Sequence, residues 1–312
     1  MKRLFFVFFI CILLTGCTAR HKTQQTLFAM DTVMDLQVWA QDAKTAQNAL
    51  GAVQELIGEI EGIWSATDET SVLSALNRGE ACLSPEQKAL LGELEALSER
   101  TGGTFDPKLH GVIESWGFLS GQCRVPSREE LDAALEQKKW NLGAAMKGYA
   151  GQKAAELLDE MNVDRAILNL GGNIQTYGSK PDGQPWQIGI QNPEGKGNMG
   201  IISVEGTIAV VTSGDYQRFF EENGKKYHHI LDPETGYPVE SGLKSVTVIC
   251  RDGLTADVLS TALFVMGLAD AAEFWRESDD FEAVFVLSDG QVLATEGAQL
   301  SGCVYEVIRR EE

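Results

Sequence analysis

Nowhere does this 312-residue chain hold the ~20 consecutive apolar residues that a membrane-spanning helix needs; its apolar run at residues 4–14 falls well short. Basic residues are scarce: 26 Lys and Arg against 45 Asp and Glu leave a net charge of −19. That balance excludes non-specific nucleic-acid binding, which needs a cationic surface. The six cysteines include no C-x-x-C pair, so no zinc site is expected. The G-x-x-x-x-G-K-[ST] phosphate loop is absent. No repeat, low-complexity segment or break in composition divides the chain, so a single large domain is expected.

What the N-terminus does have is the layout of an export signal. Lys2 and Arg3 precede the apolar run, which ends in Leu14-Thr15-Gly16-Cys17. The expectation is a lipoprotein signal peptide over 1–16, cleaved before Cys17, whose thiol takes a diacylglycerol. An ordinary secretory signal with an incidental cysteine is the alternative. Residues 17–25 are then the lipidated cysteine and a polar tether, and 26–312 the domain. The expected location is the bacterial cell membrane, lipid-anchored and facing the extracytoplasmic side. An acidic chain offers no polybasic second membrane signal, so the lipid alone would carry the anchoring. Cys11 leaves with the signal. Cys82, Cys123, Cys250 and Cys303 are expected as small buried apolar residues, with disulfides permitted but not required.

Along the domain, residues 27–40 alternate like one strand, and 43–64 carry apolar residues at helical spacing. Ser84 with Gln87, and Ser127 with Glu130, read as capping boxes. Asp106 before Pro107 reads as the cap of a helix bearing Val112 and Trp116. A long helix is expected over about 144–161. Strands are expected over 165–170, 186–190, 200–204, 207–211, 245–250, 281–287 and 291–295, with helices over 255–266 and 271–276. The class is α+β, with a mixed or antiparallel sheet and helices packed on its faces.

Residues 212–238 gather Thr212, Ser213, Asp215, His228, His229 and Asp232 around two turns, at Asn223-Gly224 and 232–236, with short strand-like runs between them. His229 is the candidate base among them; a histidine that merely holds the Asp232 turn is the plainer reading. Asp257 and Thr261 are one helical turn apart on one face and offer hard oxygens suited to Mg²⁺. A dipole-favoured Asp with a back-bonded Thr is the plainer reading of that spacing. Asn141-Leu142-Gly143-Ala144-Ala145-Met146-Lys147 turns into a helix whose free N–H groups and lysine suit a phosphate, or it is a capped helix with a surface lysine. Gly171-Gly172, flanked by Asn169 and Asn173, suits a turn or close contact with a ligand.

Taken in order, Met30-Asp31-Thr32, 103–107, Trp116-Gly117-Phe118, 142–149, 169–173, 212–216, 229–233 with Thr235-Gly236, and 245–248 followed by Ala256-Asp257 resemble the ApbE family of FAD:protein FMN transferases. The resemblance implies a T-fold-related α+β domain that binds FAD as substrate with Mg²⁺. It implies cleavage of the FAD pyrophosphate and attachment of FMN, through its phosphate, to a Thr or Ser of an exported acceptor protein such as a redox-pump subunit, with AMP released. By position Asp257, Thr261 and the Ala144 carbonyl match metal ligands. Met30, Thr67, Thr104, Phe105, Asp106, Asn141, Lys147, Leu231 and Ser260 match positions lining the nucleotide, and His229, Asp257 and Lys147 are the expected catalytic set. Three positions depart from the pattern: Asn141 stands where Asp is usual, Asp31 where Gly follows the Met, and Thr67 where an aromatic is frequent. Two alternatives share the same residues: a Mg²⁺-dependent FAD pyrophosphatase, and a non-catalytic FAD-binding lipoprotein.

Overall fold

A computed structural model describes residues 21–180 and 182–311. The expected signal peptide and Cys17 lie outside those residues. The run expected as one strand over 27–40 is a hairpin, β1 (His21–Ala29) and β2 (Thr32–Ala40), turned at Met30 and Asp31. Both turn residues have positive φ, 49° and 57°, the geometry of a two-residue hairpin loop. Most of the expected tether is therefore sheet: Gln25 pairs with Leu36, and β1 rests on α1 (Ala43–Trp64). Backbone pairing to β2 holds a strand too polar to announce itself by alternation.

Asp42 caps α1 by accepting the Thr45 N–H at 2.9 Å, and a stripe from Ala46 to Trp64 is buried. Next come α2 (Val72–Asn77), α3 (Pro85–Arg100), α4 (His110–Ser115), α5 (Arg128–Glu136) and α6 (Met146–Glu160). Both expected capping boxes form. Asp106 is not a helix cap: its Oδ1 accepts the Lys108 N–H at 2.8 Å in a local turn, and α4 starts three residues beyond Pro107.

The second half supplies β3 (Arg165–Leu170), β4 (Asn173–Tyr177), β5 (Trp186–Gln191), β6 (Asn198–Val204), β7 (Ala209–Gly214), β8 (Phe219–Glu222), β9 (Lys225–His228) and β10 (Leu243–Cys250). After them come α7 (Gly253–Arg276), β11 (Phe281–Leu287), β12 (Val292–Thr295), β13 (Leu300–Ser301) and β14 (Glu306–Ile308). The main sheet runs β1-β2-β3-β4-β7-β10-β11-β12-β14 and is antiparallel except for the β12–β14 pair, so it is mixed as expected. Helices α1, α6 and α7 cover one face. The small sheet β13-β6-β5 packs Trp186, Ile188 and Ile202 against Trp39, Ile167 and Ile174 on the other. The two helices expected over 255–266 and 271–276 are one element, broken at Gly267, whose φ of 78° is not helical.

Helices α6 and α7 cross where each offers a glycine. A Cβ on Gly148 would lie 2.1 Å from the Gly253 carbonyl oxygen, and one on Gly253 would lie 2.5 Å from that of Gly148. That approach sets the N-terminal halves of both helices side by side, and the site is built there. All four cysteines of the domain are free. Cys82 and Cys123 are exposed rather than buried as expected, whereas burial pushes the Cys250 thiol up to about 11.

Candidate active site

A cavity of about 660 Å³ opens where the β1–β2 turn, the end of α1, the 104–109 loop, the starts of α6 and α7 and the 229–233 loop converge. Its volume lies within the range of small-molecule sites. Met30, Thr67, Thr104, Phe105 and Asp106 form one side of it. Asn141, Ala144 and Lys147 come from the lead into α6, Leu231 and His229 from the loop after β9, and Asp257 and Thr261 from α7. Ser260 is not on the wall. It is fully buried behind it, donating to the Asp257 carbonyl at 2.8 Å.

The Ser260 hydrogen bond orders its neighbours. A carbonyl only accepts, so the Ser260 proton is committed, and its contact with Ser213 Oγ at 2.8 Å must receive the Ser213 proton. Thr261, 3.2 Å from Ser213 Oγ, then donates to it and keeps lone pairs for the cavity. Asp257 is 3% exposed, and its Oδ2 accepts the Gly148 N–H at 2.8 Å. It has no ion-pair partner among the described residues. A buried carboxylate without a cation is costly. With the Thr261 hydroxyl and the Ala144 backbone on the same wall, this hard-oxygen donor set fits a divalent cation such as Mg²⁺.

His229 Nδ1 lies 3.1 Å from the Arg218 carbonyl and so carries the proton, leaving Nε2 as the unprotonated nitrogen. Burial, reinforced by the nearby Arg218 and Lys147 charges, pushes this imidazole down to about 3 against the raising effect of that carbonyl. It is neutral at neutral pH. Its neighbour His228 is structural: Nε2 meets the Val239 carbonyl at 3.1 Å and Nδ1 accepts the Ile230 N–H at 3.3 Å. Asp215 pairs with Lys226 and Lys244 at 3.3 and 3.5 Å, and Asp232 closes its own turn by accepting the Glu234 N–H. Of that crowded segment Thr212, Ser213 and His229 line the cavity, while His228, Asp215 and Asp232 hold the strands and turns around it.

Several residues at the site were not among the expected site residues. Asn173 joins Asn141 in bringing a buried amide Nδ2 with no partner among the described residues. Lys147 and Arg218 on the wall suit an anion, and the two unspent amides lie buried beside them. Glu61 holds the β1–β2 turn by accepting the Met30 N–H at 2.7 Å. Trp116 donates its indole N–H to the Gly236 carbonyl at 2.7 Å, within an aromatic cluster that also holds Phe118, Phe220 and Tyr227. The Asn-flanked glycine pair was the available signal for Asn173; Glu61 and Arg218 sat among ordinary surface charges.

The ApbE family model matches residues 30–285. The chain belongs to the ApbE family. Among curated ApbE relatives, the FAD:protein FMN transferase of Treponema pallidum is 30% identical, over 92% of each chain. The crystal structure of the Thermotoga maritima ApbE protein superposes with a TM-score of 0.82 at 33% identity, covering 88% of this chain and 97% of that one. The flavin transferase ApbE of Vibrio cholerae superposes at 0.78 with 25% identity, covering 89% of this chain and 98% of its own.

Proposed function

We propose that this protein is a flavin transferase that cleaves FAD and attaches FMN, through a phosphoester, to a Thr or Ser of an exported acceptor protein, releasing AMP. The observation that carries the reading is one cavity holding a buried carboxylate without a counter-cation, two unspent amide donors, Lys147 and a neutral imidazole with a free Nε2. The names of the relatives support it. In the reaction the acceptor oxygen forms a bond to the FMN phosphorus and the bond from that phosphorus to the AMP oxygen breaks. His229 Nε2 would take the hydroxyl proton once bound phosphate offsets the Arg218 and Lys147 charges that help hold the imidazole down, and AMP leaves with the bridging oxygen. Lys147, with the Asn141 and Asn173 amides, would hold the phosphate oxygens in line. Asp257, Thr261 and the Ala144 carbonyl would hold Mg²⁺, which when bound neutralises phosphate charge and polarises the phosphorus. We place the protein at the cell membrane, anchored by a lipid on Cys17, on the strength of its N-terminal sequence.

The test uses the soluble form from Thr18 onward with FAD, Mg²⁺ and the soluble domain of a protein that the Vibrio cholerae enzyme modifies. An acceptor gaining the mass of FMN less water, with AMP released, is the expected result. AMP with free FMN and an unmodified acceptor would instead identify a pyrophosphatase. Bound FAD with no AMP from folded protein would identify a carrier.

A further inference from the structure

A second cavity, of about 470 Å³, lies on the face of the main sheet opposite the helices, between the outer side of β1–β3 and β5. Strand β5 ends the small sheet, so one edge of its backbone has no strand partner among the described residues. Three consecutive β5 residues, Gln187, Ile188 and Gly189, line this groove, as do Gln24 and Gln37 from the hairpin. In a chain with 45 acidic residues the groove holds one carboxylate, Asp35, and that already accepts the Thr26 hydroxyl proton at 2.6 Å. Neutral amide walls beside an open strand edge suit a polypeptide backbone rather than a charged ligand.

The groove leads into the reaction cavity along three strands. Gly189 lines the groove and Gln191 the cavity; Ile174 lines the groove and Asn173 the cavity; Asp35 lines the groove and Thr32 the cavity. At ~3.3 Å per residue these spans are roughly 3–10 Å. Between Asp35 and Thr32 the hairpin presents an apolar pair, Phe28 opposite Val33, 72% and 56% exposed. Side chains this apolar and this open, on a strand pair leading to a reaction site, mark a contact surface.

We propose that the acceptor protein docks here as an extended segment, paired with the β5 edge and covering Phe28 and Val33, so that a residue two to four positions along reaches the cavity with its hydroxyl. This rests on the transferase reading. The test compares wild type with two variants on exposed side chains, Gln24→Trp, which fills the groove, and the double substitution Phe28→Asp with Val33→Asp. The acceptor is the domain that gains FMN with the wild-type protein. We expect the acceptor KM to rise about tenfold or more in both variants, while FAD affinity, read from flavin fluorescence, stays within about twofold. An unchanged acceptor KM overturns the groove while leaving the transferase reading intact. Equal loss of FAD affinity overturns it too, because the damage then lies in the cavity. A wild-type dimer that the variants dissociate, with KM unmoved, makes the groove a contact between copies. Failure of the wild type to modify any acceptor removes the transferase reading and this docking site with it.

Discussion

The closest packing in the site is the glycine crossing of α6 and α7, and Gly148→Ala probes it. The added Cβ would sit 2.1 Å from the Gly253 carbonyl oxygen and 2.6 Å from Asp257 Cβ. An ordinary carbon–oxygen contact is more than 3 Å, so the helices must part by about 1 Å; overpacking of this kind costs about 1–3 kcal/mol. Gly148 also donates its N–H to Asp257 Oδ2, so parting moves the carboxylate that would hold the cation. A displacement of about 1 Å at a reacting centre costs on the order of a hundredfold in rate. The expected outcome is a melting temperature lower by about 3–10 °C and AMP release slowed about a hundredfold at saturating FAD. Gly58→Ala is the control: this exposed residue of α1 has nothing within 4 Å of its added Cβ, and a better helix former there should add about 0.5–1 kcal/mol. Wild-type melting and a rate within about threefold for Gly148→Ala would refute the argument that this crossing positions Asp257.

Asp257→Asn keeps an acceptor for the Gly148 N–H but removes the charge, so the fold should hold while Mg²⁺-dependent AMP release falls about a hundredfold or more; a Mg²⁺ titration of both proteins checks it. His229 should make stability rise with pH between about 3 and 6.5, because there the unfolded imidazole binds a proton that the folded one does not. His229→Gln should flatten that slope, by at most about 1.4 kcal/mol per pH unit, in denaturant melts across the range, with no effect above pH 7. Trp116→Phe should cost about 1–3 kcal/mol in urea melts, because the buried Gly236 carbonyl loses its donor at 2.7 Å.

Much of the secondary structure was legible because local physics dictates it. Helix α1 follows from its apolar stripe and the two capping boxes from their side chains, and strands β3 and β11 run as their apolar patterns predict. What stayed hidden depended on partners far away in sequence. The β1–β2 turn uses Met30 and Asp31 in left-handed backbone without the Asn-Gly or Asp-Gly that usually signals it; the Glu61 carboxylate on the Met30 N–H helps to hold it. Strand β4 is polar enough to read as loop, and its pairing with β3 and β7 decides the matter. For the site, spacing alone left Asp257 with Thr261, and Lys147, better explained by plain structural roles. The helix crossing that unites them is a contact between residues about a hundred apart in sequence, which no local pattern encodes.

Burial and charge single out Asp257 for the proposed cation. Four carboxylates stand on the cavity wall: Asp31, Glu61, Asp106 and Asp257. Asp31 faces Arg218 at 3.7 Å, and Asp106 pairs with Lys138 at 3.1 Å while also bonding the Lys108 N–H. Glu61 is half-buried and fixes the hairpin turn. Asp257 is the most deeply buried of the four and meets only a backbone N–H, which satisfies a hydrogen bond but does not cancel a charge. An acidic protein that must receive a pyrophosphate needs positive charge where carboxylate and phosphate would otherwise repel. Lys147 and Arg218 supply some, and a divalent cation on Asp257 and Thr261 would supply the rest. Charge balance and burial thus select the same residue that the family pattern does.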